Sequence, residues 1–456
     1  MPHLFRPTHL NLSAAALLSA ALAADAGAES QLTPAPLPPS AGTPAAPANP
    51  QNTLTDAKPD PEGLAKWIAD GKVDLNVRAR YSYADIDGLD TANAQTLRTR
   101  LGYTTGVYAG FRAAVQLEDN RALDYDEYNA AGLNGQPGLA VIADPEDTEL
   151  NQAWLSYDAK GLLGLEGEKE QALLKVGRQR IILDDARFVG NVGWRNLEQT
   201  FDAASVLLKL GETDGGVGLF YAYVSEVNRI FGPDADRDFD SDSHLINASI
   251  KTPLGNLTGF AYLLDFEDAA ALSSQTYGAR VTNLRPFPGS DSDGLKLGYA
   301  ASYAFQTDYA DSPLDYDAHY VLGEVRLVTD TVFGGVGYEL LGSDGGDAAF
   351  QTPLGTNHKF NGFADVFLNT PAVGLQDYYA FLGTKITTPF KGQFVVTYHE
   401  FESDDGGDDL GWEIDAVLAQ KLTQNLTFLT KYAHYEGGDS AIADRDRLTV
   451  QLEFNF

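Results

Sequence analysis

Residues 447–456, at the C-terminus, alternate strictly between polar and apolar side chains. The apolar members are Leu448, Val450, Leu452, Phe454 and Phe456. An alternation with a period of two puts one class of side chain on each face of a β-strand. A transmembrane barrel needs that division because lipid lies outside it and water inside. The pattern therefore predicts a barrel strand, with a half-buried strand of a soluble sheet as the alternative.

The same alternation recurs along the chain from Lys72 onward and predicts eighteen strands. In the first, Val73, Leu75 and Val77 share one face, while Asp74, Asn76 and Arg78 share the other. The later strands are predicted near 94–104, 107–119, 148–158, 171–180, 201–210, 215–227, 243–253, 256–267, 275–285, 294–307, 317–328, 331–343, 374–387, 391–403, 409–421, 424–436 and 444–456.

The predicted connections alternate between tight turns and long loops. The tight turns fall near residues 105–106, 255, 329–330, 389 and 423–424, and the long loops near 119–147, 181–200, 228–243 and 344–373. Outer-membrane barrels show this asymmetry, with short periplasmic turns and long extracellular loops. A soluble sandwich or propeller has no reason to alternate loop lengths in this way. We therefore predict an all-β fold, a transmembrane antiparallel barrel of the outer-membrane type.

The composition of the chain excludes several other classes of protein. Beyond the N-terminus no apolar run approaches the ~20 residues that a membrane helix needs. The formal net charge of −32 is opposite in sign to that of a general nucleic-acid-binding protein. The chain has no cysteine, so it can form neither a disulfide framework nor a thiolate metal site.

The N-terminal region predicts export. Arg6 precedes an alanine- and leucine-rich stretch with small residues at possible cleavage sites, which is typical of a secretory signal over residues 1–28. Residues 29–71 are rich in proline and alanine and are predicted to be a periplasmic linker, with a helical turn near residues 64–71. The barrel would then occupy residues 72–456.

Three strings resemble the alginate-export family of outer-membrane porins. They are TLRTRLGY at 96–103, VGRQRIILDDARFVGNVGWRNLEQTFDA at 176–203, and FQTPLGTNHKFNGFADVFLNTPAVGLQD at 350–377. The resemblance implies a monomeric, eighteen-stranded barrel in a Gram-negative outer membrane, with an electropositive pore that passes a polyuronate. The C-terminal strand also resembles the signal by which such proteins are handed to the barrel assembly machinery. We further expect contact with outer-membrane lipid and lipopolysaccharide.

A polyuronate carries one carboxylate per sugar, so its pore needs fixed positive charge, and guanidinium groups meet carboxylates with a flat pair of donors. Strand alternation puts several arginines on inner faces, and two long loops, one or both of which we expect to fold into the pore, add more. The predicted pore-lining residues are Arg78, Arg80, Arg98, Arg100, Arg112, Arg178, Arg180, Arg187, Arg195 and Lys359. The alternative is structural pairing with acids such as Asp74, Glu118, Asp202 and Glu324.

The acidic excess is predicted to lie outside the pore wall, in the loops. Asp234, Asp236, Asp238, Asp240 and Asp242 alternate in one predicted loop. They do not form a calcium hand, because the glycine and glutamate that its loop requires are missing. We predict no metal site and no cofactor. Loosely bound calcium at the acidic loops is an alternative to a plain solvated surface.

These observations predict a passive outer-membrane pore for an anionic polysaccharide or oligouronate, with alginate as the family implication. The main alternative is a general or nutrient-specific porin for small solutes, and a structural barrel closed by its loops is a third possibility. We do not predict an enzyme. No motif joins His244, His319, His399 or His434 to a serine or an aspartate in a catalytic arrangement.

Overall fold

The computed structural model describes residues 61–211, 216–288, 294–439 and 442–456, which contain one helix and twenty strands. The first elements are α1 (Pro61–Ala69), β1 (Lys72–Ile86), β2 (Ala92–Thr104), β3 (Phe111–Ala122), β4 (Asp147–Asp158), β5 (Gln171–Gln179), β6 (Thr200–Leu210) and β7 (Val217–Asn228). They are followed by β8 (Phe239–Thr252), β9 (Gly255–Leu264), β10 (Ser274–Pro286), β11 (Lys296–Asp308), β12 (Asp317–Val328) and β13 (Val332–Leu341). The last are β14 (Ser343–Asp344), β15 (Ala348–Ala349), β16 (Leu375–Ile386), β17 (Lys391–Glu402), β18 (Asp409–Lys421), β19 (Leu426–Glu436) and β20 (Arg445–Asn455).

Eighteen of these strands form a single antiparallel sheet that closes on itself, while β14 and β15 form a separate small hairpin. Each barrel strand pairs with the next barrel strand in the chain. The sheet closes where β1 pairs with β20, in a register that runs from Asn76 opposite Asn455 to Ile86 opposite Arg445. Closure leaves no strand edge in the lipid, where an unpaired backbone group is costly. The predicted eighteen-stranded barrel is confirmed.

The two faces of the barrel wall differ in chemistry as the sequence predicts. On β2, Arg98 points inward and is 0% exposed, whereas its outward neighbour Leu101 is 52% exposed. Other strands repeat this outward exposure of apolar side chains, at Val115, Val176, Leu257, Val325, Val336 and Leu382. Such a band matches the hydrocarbon of a bilayer. Among the described residues, no helix is long and apolar enough to cross a membrane.

The two ends of the barrel also differ. One end holds both termini of the barrel and short turns such as 253–254, 329–331 and 422–425. The other end holds the long connections 123–146, 180–199, 229–238 and 342–374. The end with the short turns is therefore the periplasmic one. Helix α1 lies there, because the amide of Gly106 in the turn after β2 donates to the carbonyl of Trp67 (2.9 Å).

Strand β3 begins at Phe111, later than the predicted residue 107. A tight reversal takes its place, in which the amides of Tyr108 and Phe111 each donate to the other's carbonyl at 3.0 and 2.8 Å. The two residues between them, Ala109 (φ 49°) and Gly110 (φ 85°), both have left-handed backbone. Two such residues in succession form the two-residue turn that best fits the twist of paired strands.

Strand β8 begins at Phe239, earlier than the predicted residue 243. The buried ring of Phe239 lies 4.9 Å from that of Phe266, and Phe239 pairs with Val227 of β7, which extends the ladder. Asp240 and Asp242 therefore belong to the strand. The prediction that they lie in a long loop with the preceding aspartates is wrong.

The predicted signal, residues 1–28, and most of the predicted linker, residues 29–60, lie outside the described residues. The remainder of the linker contains α1, which begins at Pro61. Proline suits the first position of a helix, because that position needs no amide donor. The division into signal, linker and barrel stays a prediction, although β1 does begin at Lys72.

The lipid-facing band yields a first testable prediction. Val336 lies at the middle of β13 and is 61% exposed on the outer surface. We expect Val336→Arg to lower the free energy of unfolding by about 2–4 kcal/mol, the cost of a cation near the bilayer midplane. Urea titration in lipid vesicles would measure the change. Val336→Leu is the matched control and should be nearly neutral, and equal stability of the two variants would contradict the assignment of this face to lipid.

Candidate functional site

Two of the long loops fold into the barrel, and so does the end of a third, 123–146, where Asp144 pairs with Arg80 of β1 (3.2 Å). The first luminal loop, residues 180–199, joins β5 to β6, and the second, residues 342–374, joins β13 to β16. On one side the first luminal loop meets the wall at β1, where Arg80 donates to the carbonyl of Trp194 (2.6 Å). On the other side Asp185 forms an ion pair with Arg280 of β10 (2.7 Å). This loop therefore crosses the lumen, and the expectation that one or both loops enter the pore is confirmed.

The second luminal loop is held by carboxylates of the wall and by apolar contacts such as that of Phe367 with Phe401 of β17 (4.7 Å). The backbone amide of Ala364 donates to Glu413 of β18 (2.7 Å), and that of Phe363 donates to Asp415 (3.1 Å). The Asn361 side chain donates to Glu339 of β13 (2.7 Å). These carboxylates use part of their hydrogen-bonding capacity on groups of the loop. The β13 and β18 wall thus docks a loop instead of offering free charge to the pore.

The two luminal loops also bind each other. The amide of Gly190 donates to the carbonyl of Leu354, and the amide of Thr356 donates to the carbonyl of Ala186, both at 2.9 Å. The ring of Trp194 stacks on that of His358, with centroids 4.4 Å apart and planes 5° from parallel. The loops consequently form one body inside the barrel.

Backbone strain in the first luminal loop indicates that its path is imposed by these contacts. Asp184, Ala186 and Val192 have φ values of 53°, 68° and 49°. A left-handed backbone is unfavourable for any residue with a Cβ and most of all for a β-branched one such as Val192. Each such residue costs of the order of 1–3 kcal/mol and persists only where the surroundings hold it.

The arginines of β1 and β2 lie on the inner wall as predicted, but each is paired with carboxylates. Arg78, Arg80, Arg98 and Arg100 are all at least nine-tenths buried. The pairs are Arg78–Glu453 (3.2 Å), Arg80–Asp144 (3.2 Å), Arg98–Glu453 (3.2 Å), Arg100–Glu118 and Arg100–Glu198 (3.5 Å). Most of the positive charge of this cluster is therefore neutralised, which is the structural alternative considered for it.

Glu198 connects the first luminal loop to this cluster. It receives Arg100 and also Arg180, whose Nε donates at 2.9 Å. Burial alone would raise the pKa of its carboxyl, but the two guanidinium groups outweigh burial and hold the pKa well below its usual range. The two guanidinium groups thus favour the ionised form of Glu198.

Of the remaining predicted site residues, three arginines form ion pairs, whereas Lys359 and Arg112 form none with a described residue. Arg178 belongs to β5, not to the loop after it, and pairs with Asp202 (2.9 Å). Arg187 pairs with Glu339 (2.9 Å) and Arg195 with Asp365 (2.9 Å), while Lys359 donates to the carbonyl of Asp185 (2.8 Å). Arg112 lies on the inner face of β3 near the periplasm and forms no ion pair within the described part of the chain.

A small cavity remains where the luminal loops meet β1, β19 and β20. Its volume is about 30 Å³, enough for a water molecule. We call it the basic niche, since its cations outnumber its carboxylates: it is lined by Arg80, Arg195, Lys431 and Arg447, with Asp144, Asp365, Trp194, His358 and Phe363. Lys431 was not selected from the sequence, although the alternation of β19 between buried Leu429 and Ala433 puts it inside.

His358 is neutral in the niche. Its Nδ1 faces Asp365 (2.6 Å) and its Nε2 faces the ammonium of Lys431 (3.1 Å), so we assign the proton to Nδ1. Burial lowers its pKa to about 3, and Lys431 acts in the same direction, although Asp365 opposes them. Lys431 also lies 3.8 Å from the ring centroids of Trp194 and Phe363. Its charge therefore rests on aromatic faces.

Among the described residues, no group of three or more acidic, histidine or cysteine side chains is arranged to hold a metal ion. Loose association of calcium with the acidic loops stays a prediction.

The first part of the barrel matches a known family. Residues 71–216 match the model of the alginate export family. The match contains β1 to β6 and the whole first luminal loop. It confirms the resemblance over these residues, while the string at 350–377 lies outside them. No curated protein matches the chain.

The fold is similar to solved outer-membrane structures. OccK1 (OpdK) of Pseudomonas aeruginosa superposes with a TM-score of 0.63 at 15% identity, over 86% of this chain and 99% of that one. A structure of OpdK with vanillate gives the same values. OccAB4 of Acinetobacter baumannii gives 0.58 at 16%, over 85% and 98%. The barrel, its apolar outer band and the family match locate the chain in the outer membrane of a Gram-negative bacterium.

Removal of Arg187 would test how the first luminal loop is held. Arg187→Ala leaves the buried Glu339 without its cation, and breaking a buried pair costs about 3–5 kcal/mol. We expect faster hydrogen exchange of the amides of residues 180–199 and noisier single-channel current. Arg121→Ala is the control, because the Arg121–Asp119 pair is exposed and contributes at most about 1 kcal/mol. Unchanged exchange in Arg187→Ala would rule out this pair as an anchor.

Acid should weaken the docking of the luminal loops. Because the pKa of His358 is about 3 when docked and about 6.5 when solvated, the undocked state gains a proton first as pH falls. Docking therefore loses about 1.4 kcal/mol per pH unit from about pH 6.5 downward, and this loss ends near pH 3. Hydrogen exchange of residues 342–374 at pH 7 and 4.5 would measure it.

His358→Gln is the matched variant, since glutamine donates and accepts without titrating. We expect this variant to reduce the pH dependence of hydrogen exchange in residues 342–374. Any pH dependence that remains comes from other titratable groups. If the variant and the natural chain respond to acid identically, His358 does not control docking.

Proposed function

We propose that this outer-membrane barrel, with its alginate-export segment at residues 71–216, is a passive pore for carboxylate-bearing solutes, with uronates as the class. One observation carries the proposal: the basic niche between the luminal loops and the wall. Its four cations, Arg80, Arg195, Lys431 and Arg447, face two carboxylates, Asp144 and Asp365, beside a neutral histidine. A constriction with a positive balance selects for anions.

The cations of the niche differ in how firmly they are engaged. Arg80 and Arg195 have close carboxylate partners at 3.2 and 2.9 Å. Arg447 reaches Asp365 only at 3.8 Å and otherwise donates to the carbonyl of Ala364. Lys431 forms no ion pair with a carboxylate within the described residues and lies on aromatic rings. Lys431 and Arg447 are therefore the groups that a solute carboxylate would meet.

The luminal loops favour a short solute. In the docked state the niche has room for water, and a sugar would have to displace part of a loop. We expect a monomer or a short oligomer to require only local displacement of Lys431 and of the 342–374 loop. A long polymer would need both loops to leave their buried ion pairs together. One relative was solved with vanillate, a small aromatic carboxylate, which also supports a small anionic solute.

Passage of a whole anionic polysaccharide, alginate-like in charge, is the second candidate. The family match supports it, because the matched residues include the first luminal loop. It requires the loop body to move as a unit. A general porin for small solutes is the remaining alternative and predicts no preference for uronates.

The other parts of the proposal follow from the fold and the comparisons. We propose that the barrel acts as a monomer and has no catalytic role. Assembly by the barrel assembly machinery and contact with lipopolysaccharide stay predictions that rest on the C-terminal strand and the outer surface.

Planar-bilayer recording tests the proposal. We expect anion preference in a salt gradient, and block by galacturonate or its trimer. Lys431→Gln and Arg447→Gln should each weaken block about tenfold or more, since a hydrogen bond to a charged group contributes about 1.5–3 kcal/mol. Arg121→Gln, which removes an exposed cation, is the control and should leave block unchanged.

The length of the blocking sugar separates the candidates. Transient block by monomer and trimer with no entry of long polyuronate supports the short-solute pore, whereas flux of the polymer supports the second candidate. Cation preference with no block by any uronate would reject both and leave a general porin.

A further inference from the structure

Three lysines lie together at the periplasmic mouth, away from the basic niche. Lys385 is at the end of β16, Lys391 at the start of β17 and Lys421 at the end of β18. These strands are neighbours in the sheet. Their inner faces are marked by buried residues two or four positions away, namely Phe381, Val395 and Ala419. All three lysines therefore lie on the lumen side of the wall, where lipid does not reach.

The register brings like charges into direct opposition. Lys391 is the cross-strand partner of Lys421, and Lys385 is the partner of Gln393, two residues from Lys391. Side chains directly opposite each other are only about 4.5–5.5 Å apart at Cβ, and like charges there destabilise a sheet. A bound anion would remove that repulsion.

The cluster also lacks carboxylate partners. Within the described residues, Lys391 and Lys421 form no ion pair, and Lys385 donates to the carbonyl of Thr329 (3.1 Å). The turns beside them, 387–390 and 422–425, contain no acidic residue, and Asp330 in the turn 329–331 pairs with none of the three. Every arginine deeper in the wall of β1 and β2 has a carboxylate instead.

An unpaired amide adds a neutral donor at the same place. The side-chain nitrogen of Gln393 is buried and has no hydrogen-bond partner among the described residues. A buried donor without a partner is costly and calls for an explanation. Cationic ammonium groups and an amide donor on one face together match the needs of a carboxylate.

We propose that Lys385, Lys391, Lys421 and Gln393 form a docking site that takes carboxylate groups of a solute arriving from the periplasm. The proposal rests on the proposed function for the identity of that solute. The opposite end of β17 and β18 carries Asp404, Asp405 and Asp408 in the connecting loop. Anions are thus attracted at the periplasmic mouth and repelled by these aspartates at the extracellular one, while net flux through the passive pore follows the gradient of the solute.

Side-specific block tests the site. Barrels are inserted in one orientation, which is assigned by labelling Asp405→Cys with an impermeant maleimide, as the chain has no other cysteine. Galacturonate trimer is then added to either side. We expect Lys391→Gln with Lys421→Gln to weaken block from the periplasmic side about three- to tenfold, and block from the extracellular side less than about twofold.

A matched control removes the same charge from the same mouth. Lys160→Gln with Lys169→Gln changes two lysines of the periplasmic turn 159–170, outside the strand wall, and should leave block unchanged. The Lys391 and Lys421 variant should fold at least as stably as the natural chain, because it relieves repulsion. Equal weakening on both sides, equal weakening in the control, or no weakening would overturn the site.

A readout without sugar separates this inference from the proposed function. In potassium chloride alone, the charge asymmetry of the two mouths should make the current differ between positive and negative voltage. If uronate blocks from neither side, the proposed function fails. The current asymmetry then tests whether the lysine cluster influences ion flow at the periplasmic mouth. Its reduction in the Lys391 and Lys421 variant would support the site, whereas an unchanged asymmetry would overturn it.

Discussion

Closure of the sheet is the constraint on which the rest of the structure depends. A backbone N–H or C=O group without a partner is costly in lipid, so the strands must pair all the way round, and β1 must meet β20. Once the sheet is closed, strand alternation fixes whether each side chain faces the lipid or the lumen. Apolar residues face the hydrocarbon, and every charged residue of the strands must go inward or to an end. The charged interior is therefore a consequence of closure, and the chain must neutralise it.

The interior is neutralised by partners that lie far apart in sequence. Arg78 of β1 meets Glu453 of β20, and Arg187 of the first luminal loop meets Glu339 of β13. Buried pairs of this kind add little net stability compared with apolar packing, but removal of one partner is severe. They act beside a buried apolar cluster in which Phe188 and Phe350 of the two loops pack on each other and on Tyr320 of the wall. The strained backbone at Val192 is held by its amide, which donates to the hydroxyl of Thr356 in the second luminal loop (3.2 Å).

The proposed function depends on the few cations that this ion pairing leaves without a close carboxylate. At the niche, Lys431 and Arg447 are the least engaged cations, and at the periplasmic mouth Lys391 and Lys421 pair with no carboxylate of the described residues. The extracellular loops carry aspartates instead. A solute carboxylate would thus meet unpaired cations at the periplasmic mouth and in the niche, and repulsion at the far end. A solute that enters from the periplasm would meet the lysines of the periplasmic mouth first and the basic niche second.

The sequence by itself determined the barrel, its strands and the inward direction of Arg78, Arg80, Arg98 and Arg100, because a period of two is a local property of a strand. The tertiary structure decided which carboxylates meet them, because Glu453 and Asp144 reach those arginines only after closure and loop docking. It also decided that Lys431 matters. Alternation alone puts Lys431 inside. Only where both luminal loops meet β19 does its ammonium contact the rings of Trp194 and Phe363, with no ion pair to a carboxylate of the described residues. Local periodicity fixes the direction of a side chain, whereas its partner depends on contacts distant in the chain.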